Sequence, residues 1–327
     1  MKLFTYQTES GPRVGAVLSD GRHGVDLTLA ETARSGVSPV IFSSMQSIIE
    51  AAEPGLEMVR KTLEFAELNA ASVQLLTLES LSYLSPLPEP EKLLCFSVYE
   101  KHMKQSIDAL VTAKFGKAGL LLNKILKLIK VPASFYRRPT YYKGNTTSFI
   151  GHKNDVHWPS FPESKMDYEL EMAVIIGKKG KDIRASSAME YVWGYTIFND
   201  FSARERLIEE VMKGKVGPLK SKDFHTGNAL GPWVVTADEI KDPQNLWMKV
   251  SVNGAIKGQA NTADMHYSIS QLIEAASEGE YVIPGEVIAT GAAGDGTGIE
   301  SWSFLNPGDV IRLEIENLGS LENRIIN

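Results

Sequence analysis

The start of the chain alternates apolar and polar side chains around glycines, which is the two-residue period of a β-strand. This alternation predicts strands over residues 3–6 and 13–18, and it favours a β-meander over a signal peptide. A helical region is expected next, over about residues 43–68. Three prolines between residues 86 and 90 then form a stiff, extended connector. We therefore expect a small N-terminal α+β domain over 1–85 and a second domain over 91–327.

After the connector, short apolar runs bounded by turn residues predict a strand-rich domain. The expected strands cover residues 174–176, 192–198, 233–235, 246–252, 287–289 and 310–315. Helices are expected over 203–212 and 268–276. The pattern as a whole predicts a mainly β or α+β fold.

Residues 101–131 combine leucines and isoleucines at helical spacing with lysines on the polar side. The lysines are Lys114, Lys117, Lys124, Lys127 and Lys130. A basic amphipathic helix of this kind can lie on a membrane surface or dock on a partner. The commoner case is a helix packed on its own domain, or a lid over a site, with its lysines in water. We favour the second interpretation and keep the first as the alternative.

Composition narrows the classes of partner. The chain has a formal net charge of −6 and is 43% hydrophobic, which argues against nucleic acid because phosphate binding needs a concentrated basic surface. No run approaches the roughly 20 apolar residues of a membrane span. The single cysteine, Cys95, excludes an internal disulfide and is typical of a reducing compartment, so we expect a cytoplasmic location.

Candidate chemistry begins at Glu169 and Glu171, which open the apolar strand near residue 174. Residues two apart share one face of a strand, so the two carboxylates are expected to be neighbours. A divalent cation would relieve their repulsion, whereas a solvated strand end is the simpler alternative. Asp200 lies where a strand is predicted to pass into a helix, so it is either a third ligand or only the helix N-cap. Lys222 follows in a loop, where it matters only if it faces the acids.

An ordered set of segments resembles the fumarylacetoacetate hydrolase superfamily. The segments are "MDYELEMAVIIG", "GYTIFNDFSARE", "KDFHTGNALGPWVV", "IATGAAGDGTGIE" and "LNPGDVIRLEIENLGSLEN", with "VYEKH" extending the match toward residue 90. The resemblance implies a mixed β-sandwich or roll around a Mg²⁺ or Mn²⁺ site. Because members of the family are usually homodimers, it also implies a homodimer. It also implies the small N-terminal domain.

The resemblance assigns roles to individual residues. It implies that Glu169, Glu171 and Asp200 bind the metal. It implies that His102 activates water and that Glu300 partners it. The residues it implies for substrate contact are Arg204, Lys222 and Thr290, with Lys222 also stabilising negative charge during catalysis.

The implied activity is hydrolysis of a C–C bond in a 1,3-dicarbonyl or acylpyruvate substrate chelated to the metal. The same electron sink would serve a 2-oxo-acid decarboxylase or a keto–enol tautomerase if water were not activated. A ligand-binding homologue that has lost catalysis is the third hypothesis. The intact acids and Lys222 speak against it, because a dead site has no evident need for three converging carboxylates.

Four positions depart from the family pattern. Cys95 stands where long members carry an aspartate ligand, and a neutral thiol is a poor ligand for a hard cation. Gln105 replaces a glutamate that often follows the histidine, and it cannot act as a base. Ala292 and Leu207 replace a threonine and a glutamine in the shell around the substrate. We therefore expect a substrate more apolar than fumarylacetoacetate, and we leave hydrolysis, decarboxylation and tautomerisation open.

Overall fold

The computed structural model describes all 327 residues and has a mixed α+β fold, as the sequence predicts. Its helices are α1 (Leu27–Ser35), α2 (Met45–Glu50), α3 (Ala52–Leu68), α4 (Glu100–Leu126), α5 (Arg204–Ile208), α6 (Ile269–Ser277) and α7 (Gly298–Ser301). Its first ten strands are β1 (Lys2–Thr8), β2 (Gly11–Val17), β3 (His23–Asp26), β4 (Leu75–Thr77), β5 (Tyr83–Leu84), β6 (Leu93–Phe96), β7 (Tyr141–Lys143), β8 (Phe149–Ile150), β9 (Asp155–His157) and β10 (Met166–Asp167). The remaining strands are β11 (Leu170–Ile176), β12 (Gly180–Lys181), β13 (Val192–Asp200), β14 (Ser202–Ala203), β15 (Asn228–Thr236), β16 (Trp247–Val252), β17 (Ala255–Asn261), β18 (Tyr281–Val282), β19 (Val287–Ala289), β20 (Val310–Ile315) and β21 (Gly319–Ile326).

Two sheets form the framework of the fold. The larger sheet has the order β4-β3-β2-β1-β15-β13-β11-β19-β6-β7, with β5 beside β1 and β8 beside β15. The smaller sheet has the order β17-β16-β20-β21-β9. Their inner faces share one core, in which Val174 and Ile197 of the larger sheet join Val250 and Leu313 of the smaller. The result is a sandwich whose central strands, β11 and β13, are buried along almost their whole length.

The larger sheet crosses the predicted domain boundary. Strand β1 pairs with β15, with Leu3 opposite Val234. Leu3 and Val14 also share a core with Ala173 and Ile175 of β11. The first strands thus extend the same sheet, and residues on both sides of the proline connector contribute to this core.

The N-terminal helices differ from the predicted single helix over 43–68. The region contains two helices, α2 and α3, because Ala52 adopts a left-handed backbone with a φ of 51°. Helix α1 was not predicted, since it buries only Leu27, Ala30 and Glu31 and shows little apolar periodicity. Local capping marks it instead, with the Asp26 side chain accepting from the Leu29 amide.

Residues 101–131 do not form one continuous helix, which corrects the prediction. Gly116, with φ 67° and ψ −176°, breaks α4, and the helix ends at Leu126. The second half folds back on the first, because Lys124 Nζ lies 3.5 Å from Asp108 Oδ2. In a straight helix these residues would be roughly 24 Å apart along the axis. Gly119 permits the tight turn, since a Cβ there would lie 2.2 Å from the Phe115 Cβ.

The C-terminal predictions agree closely with the structure. The strands expected at 287–289 and 310–315 are β19 and β20 with the same bounds, and α6 begins one residue later than expected. The helix expected over 203–212 is α5 followed by a π-helical turn over Glu209–Lys213. None of the helices combines the length and the apolar character that crossing a bilayer requires.

Candidate active site

Three carboxylates from two neighbouring strands meet inside the sandwich. Glu169 immediately precedes β11, Glu171 lies within it, and Asp200 is the last residue of β13. The strands run antiparallel with Leu170 opposite Asn199, which brings the residue before Leu170 toward the residue after Asn199. The three side chains are buried, and a ligand oxygen from each lies within 4.8 Å of the others. The sequence prediction that these acids converge is therefore correct in geometry.

Burial and mutual repulsion shape the electrostatics of this acid cluster. Burial, reinforced by Glu169 and Asp200, raises the pKa of Glu171 well above its usual value. Burial also raises the pKa of Asp200, against the opposing effect of Lys222. For Glu169 burial acts in the same direction, but Lys222 and Arg204 together outweigh it and lower the pKa to about 2. Without a further cation, the ionised forms of Glu171 and Asp200 are thus disfavoured.

Two buried cations hold the acids together. Lys222 Nζ lies 3.0 Å from Glu169 Oε2 and 3.2 Å from Asp200 Oδ2, and it donates to the Asp200 carbonyl at 2.7 Å. Its three N–H donors are therefore directed at protein oxygens, so a substrate contact would require it to give one up. Arg204 bonds Glu169 at 3.0 Å through Nη2 and Asp167 at 2.8 Å through Nε. The substrate roles of Lys222 and Arg204 stay predictions, and the contacts seen here serve the cluster itself.

The donor set fits a hard divalent cation. Asp200 Oδ1 is buried and has no hydrogen-bond partner, which is costly for a carboxylate unless something else binds it. Glu171 accepts one bond, from the Gly291 amide at 2.8 Å. The three carboxylates place oxygens within 4.8 Å of one another, and an all-oxygen donor set of this kind is what Mg²⁺ and Mn²⁺ prefer. Glu169, Glu171 and Asp200 are the residues that would hold such an ion.

A histidine–glutamate pair lies beside the acid cluster. His102, on the first turn of α4, has Nδ1 2.8 Å from Glu300 Oε1, although the residues are 198 apart in sequence. The second oxygen of Glu300 accepts from the Thr297 amide at 3.2 Å, so the carboxylate is held by the N-cap of α7 on one side and by His102 of α4 on the other. Thr297 also forms a β-bridge with Glu169, which places the pair beside the acid cluster. The pairing that the resemblance implied is thus present.

Asp167 is a site residue that the sequence analysis missed. It is fully buried and accepts from the Gly298 amide at 2.7 Å and the Ile299 amide at 2.9 Å. It thereby ties the start of α7, which carries Glu300, to Arg204. The signal was present in the sequence, since Asp167 continues the alternation of Glu169 and Glu171 one step earlier along the same face.

The sequence analysis also missed Tyr142. This residue lies beside Cys95, which occupies the position of the expected aspartate. Cys95 and Tyr142 are opposite each other on β6 and β7, and the Tyr142 hydroxyl donates to Asp200 Oδ2. Burial, with Asp200 and Glu171, raises the pKa of the Cys95 thiol well above its usual value. A protonated thiol is no ligand for Mg²⁺, as the sequence analysis expected. No sequence motif marks this tyrosine.

Three further residues named in the sequence analysis, Gln105, Thr290 and Ala292, have defined surroundings in the structure. Gln105 binds both the side chain and the amide of Asp295, whose carboxylate also accepts from Lys101 at 2.5 Å. The Thr290 hydroxyl donates to the Met172 carbonyl at 2.9 Å and is fully buried, so its substrate role stays a prediction. Ala292 is buried against the same region and adds no polar group.

Comparison with known proteins defines the family. The family described as "Fumarylacetoacetate (FAA) hydrolase C-terminal" matches residues 116–326. The chain is 30% identical to "Oxaloacetate tautomerase fahd2, mitochondrial" of Xenopus laevis over 100% of this chain and 90% of that protein. It is 31% identical to the corresponding tautomerase of Rattus norvegicus, over 100% of this chain and 92% of that protein. The chain belongs to the fumarylacetoacetate hydrolase family, and it is an enzyme of that family.

Solved structures agree with this assignment. A fumarylacetoacetate hydrolase from Exiguobacterium antarcticum superposes with a TM-score of 0.73 at 25% identity, covering 100% of this chain and 99% of that chain. A maleylpyruvate hydrolase from Sphingobium sp. SYK-6, solved with manganese(II) ion and pyruvate, gives a TM-score of 0.70 at 23% identity, with the same coverage. At 23% identity, the similarity to the maleylpyruvate hydrolase is a similarity of fold. The family thus includes tautomerases and hydrolases on one framework.

Proposed function

We propose that this enzyme is a metal-dependent keto–enol tautomerase of a 2-oxo acid with acidic C3 hydrogens, as oxaloacetate has. The observation that carries the proposal is the His102–Glu300 pair beside three buried carboxylates suited to a divalent cation. The tautomerases that align with the whole chain at 30–31% identity support the substrate class. Mg²⁺ and Mn²⁺ both suit the all-oxygen donor set, and metal dependence is part of the proposal.

His102 moves the proton in this scheme. Its Nδ1 hydrogen is donated to Glu300, which leaves Nε2 as the basic nitrogen. Nε2 takes a proton from C3, the C–H electrons form the C2=C3 double bond, and the 2-oxo oxygen gains the proton. The product is the enol isomer, so no other molecule is consumed or released. Glu300 stabilises the imidazolium formed on the way.

The bound cation would polarise the 2-oxo group and make the C3 hydrogens more acidic. Lys222 and Arg204 lower the pKa of Glu169, which keeps this carboxylate ionised near neutral pH. Asp167 fixes the start of α7 and so the direction of Glu300. The buried surroundings strengthen each of these interactions relative to water.

Hydrolysis of a C–C bond is the second candidate. The same His102–Glu300 pair can take a proton from water instead of from carbon. The full-length alignment with a fumarylacetoacetate hydrolase at 25% identity favours this alternative. The two functions differ in their products, since hydrolysis consumes water and yields two fragments. A decarboxylase would release CO₂ and one shorter acid.

The proposal is tested by following the enol absorbance of freshly dissolved oxaloacetate with added Mg²⁺ or Mn²⁺, and again with excess chelator. We expect metal-dependent acceleration toward the keto–enol equilibrium, with total oxaloacetate unchanged by product analysis. The same assay is run on a panel of acylpyruvates. Two fragments from an acylpyruvate, with no acceleration on oxaloacetate, would replace the tautomerase by the hydrolase. Release of pyruvate and CO₂ above the background rate would indicate a decarboxylase.

A further inference from the structure

The part of α4 beyond Gly116 carries an exposed apolar surface. We define the basic tip as residues 115–130. Phe115 and six leucines and isoleucines between Leu121 and Ile129 are large hydrophobic side chains that are all exposed. The most exposed are Leu128 at 69% and Ile125 at 67%. A contiguous exposed patch of this kind marks an interaction site, whereas scattered exposed leucines are ordinary.

The second half of α4 is oriented the opposite way to an ordinary surface helix. Asn123 is its buried side chain, and it binds the backbone of Ile129 twice, at 2.7 and 3.0 Å. Leu121, Leu122 and Ile125 point outward instead. Leucines normally turn inward on an amphipathic helix because burial removes apolar surface from water. Here the polar Asn123 fixes the fold-back, and the apolar face is left without a partner in the chain.

Strong positive charge surrounds this apolar face. Residues 114–130 contain five lysines and no aspartate or glutamate, in a chain whose net charge is −6. The five lysines from Lys114 to Lys130 are all exposed. Lys124 alone among them forms an ion pair, with Asp108. Lys117 and Lys124 are two turns apart and so share one edge of the apolar face.

We propose that the basic tip docks on the surface of an anionic lipid bilayer, beyond the chemistry of the active site. The leucines would enter the boundary between headgroups and acyl chains while the lysines contact lipid phosphates. A protein partner fits less well, because lysine is depleted at protein interfaces and the tip has no exposed side chain for directional recognition. A second copy of the chain would set these lysines against their own counterparts.

Vesicle flotation with the full-length protein tests this proposal. The probes are phosphatidylcholine vesicles and vesicles with equal parts of phosphatidylcholine and phosphatidylglycerol. We expect flotation with the second kind only, falling as salt is raised because the attraction is screened. Replacing Lys127 and Lys130 by Glu is expected to weaken binding at least about 30-fold, since each basic residue near an anionic surface contributes about fivefold.

The apolar contribution has its own matched variants. The double change Leu121→Ser with Ile125→Ser is expected to weaken binding at least about tenfold. Val40→Ser with Leu68→Ser removes two exposed apolar side chains elsewhere and should leave binding unchanged. Lys178→Glu with Lys241→Glu is the corresponding charge control. All changed side chains are exposed, and the unfolding midpoint of each variant checks that the fold is kept.

Three outcomes would overturn the proposal. One is equal flotation with both kinds of vesicle, or none with either. Another is equal binding by the tip variants and their controls. The third is a concentration-dependent dimer, measured by sedimentation, that the same tip variants dissociate, which would assign the surface to a second copy. None of these results depends on turnover, so they leave the proposed tautomerase untouched.

Discussion

The two ends of α4 contrast in the residues that they bury. At the first turns, polar side chains face protein, with His102 bound to Glu300 and Gln105 to Asp295. Beyond Gly116 the buried side chain is Asn123, and leucines face outward. At the first end, the polar side chains of the helix form hydrogen bonds with acidic side chains of the protein. The other end leaves its leucines exposed and buries an asparagine, so spacing alone does not tell which face of a helix is covered.

The largest expected effect concerns the acids beside the first end. Glu171→Gln removes the negative charge of one ligand carboxylate and keeps the shape of the side chain. We expect the affinity for Mg²⁺ or Mn²⁺ to fall about a hundredfold or more. The metal-free protein should become no less stable, because burial and Glu169 already disfavour the ionised form of Glu171. Calorimetric titration and urea unfolding measure the two quantities.

Glu286→Gln is the matched control for this change. Glu286 is equally buried, and burial raises its pKa to about 7, but it lies outside the acid cluster. A carboxyl with a raised folded-state pKa supplies stability below its unfolded pKa of about 4.5, which is lost as the pH rises through about 7. Glu286→Gln should therefore gain stability relative to the wild type above pH 7, with metal affinity unchanged. Equal loss of metal affinity in both variants would contradict the assigned ligand set.

The next effect separates proton transfer from metal binding. His102→Gln keeps a polar side chain at the first end of α4 but removes the base, so we expect turnover to fall about 10²–10⁴-fold. Metal affinity should stay within a few-fold, because His102 is not among the acids. His23→Gln changes a surface histidine and serves as the control. A His102→Gln enzyme with wild-type turnover would remove the histidine from the chemistry.

A smaller effect is expected at the far end of the helix. Asn123→Ala removes both hydrogen bonds to Ile129 and should loosen the fold-back by about 2 kcal/mol. Trypsin should then cut faster after Lys124, Lys127 and Lys130, while turnover changes little. Asn69→Ala, which removes an exposed asparagine at the end of α3, gives the comparison. Unchanged cleavage after Asn123→Ala would mean that other contacts hold the tip.

The smallest expected effect concerns Asp295, which anchors the first turns of α4 by binding Lys101 and Gln105. Attraction to Lys101 and the bond from Gln105 lower the pKa of Asp295 although partial burial acts against them. A lowered folded-state pKa supplies stability above the usual value of 3.8 that is lost as the pH falls below it. Asp295→Asn should cost less than about 1 kcal/mol near pH 7, because the pair with Lys101 is half exposed, and progressively less as the pH falls below 3.8. A pH-independent difference would contradict this anchor.

The sequence predicts the strands and the acids well because both depend on local period. Residues two apart on a strand share a face, which was enough to predict that Glu169 and Glu171 are neighbours. The strands β19 and β20 were predicted from their short apolar runs. The pairing of His102 with Glu300 came from the resemblance, since 198 residues separate them. The sheet that joins β1 to β15 could not be read from the chain, because strand pairing across 230 residues has no local signal.

The errors around α4 have a physical cause. Apolar spacing continued through Gly116 and past Leu126, so the sequence indicated one helix over 101–131. A single left-handed glycine reversed the chain, and Asn123 then took the inner position that the spacing assigned to leucines. The contribution of Tyr142 was hidden for a related reason, since it lies on β7 and binds Asp200 of β13, with three strands between them in the sheet order. The expected homodimer, the lid role of α4 and the cytoplasmic location stay predictions.

The most direct test of the central proposal is hydrogen exchange at C3 of oxaloacetate in D₂O, followed by NMR with saturating Mg²⁺. The account predicts that the wild-type enzyme exchanges the C3 hydrogens faster than the uncatalysed background, and that His102→Gln returns the rate to that background while still binding metal. Exchange that is equally fast in the His102→Gln variant, or no catalysed exchange by a metal-loaded wild type, would contradict it.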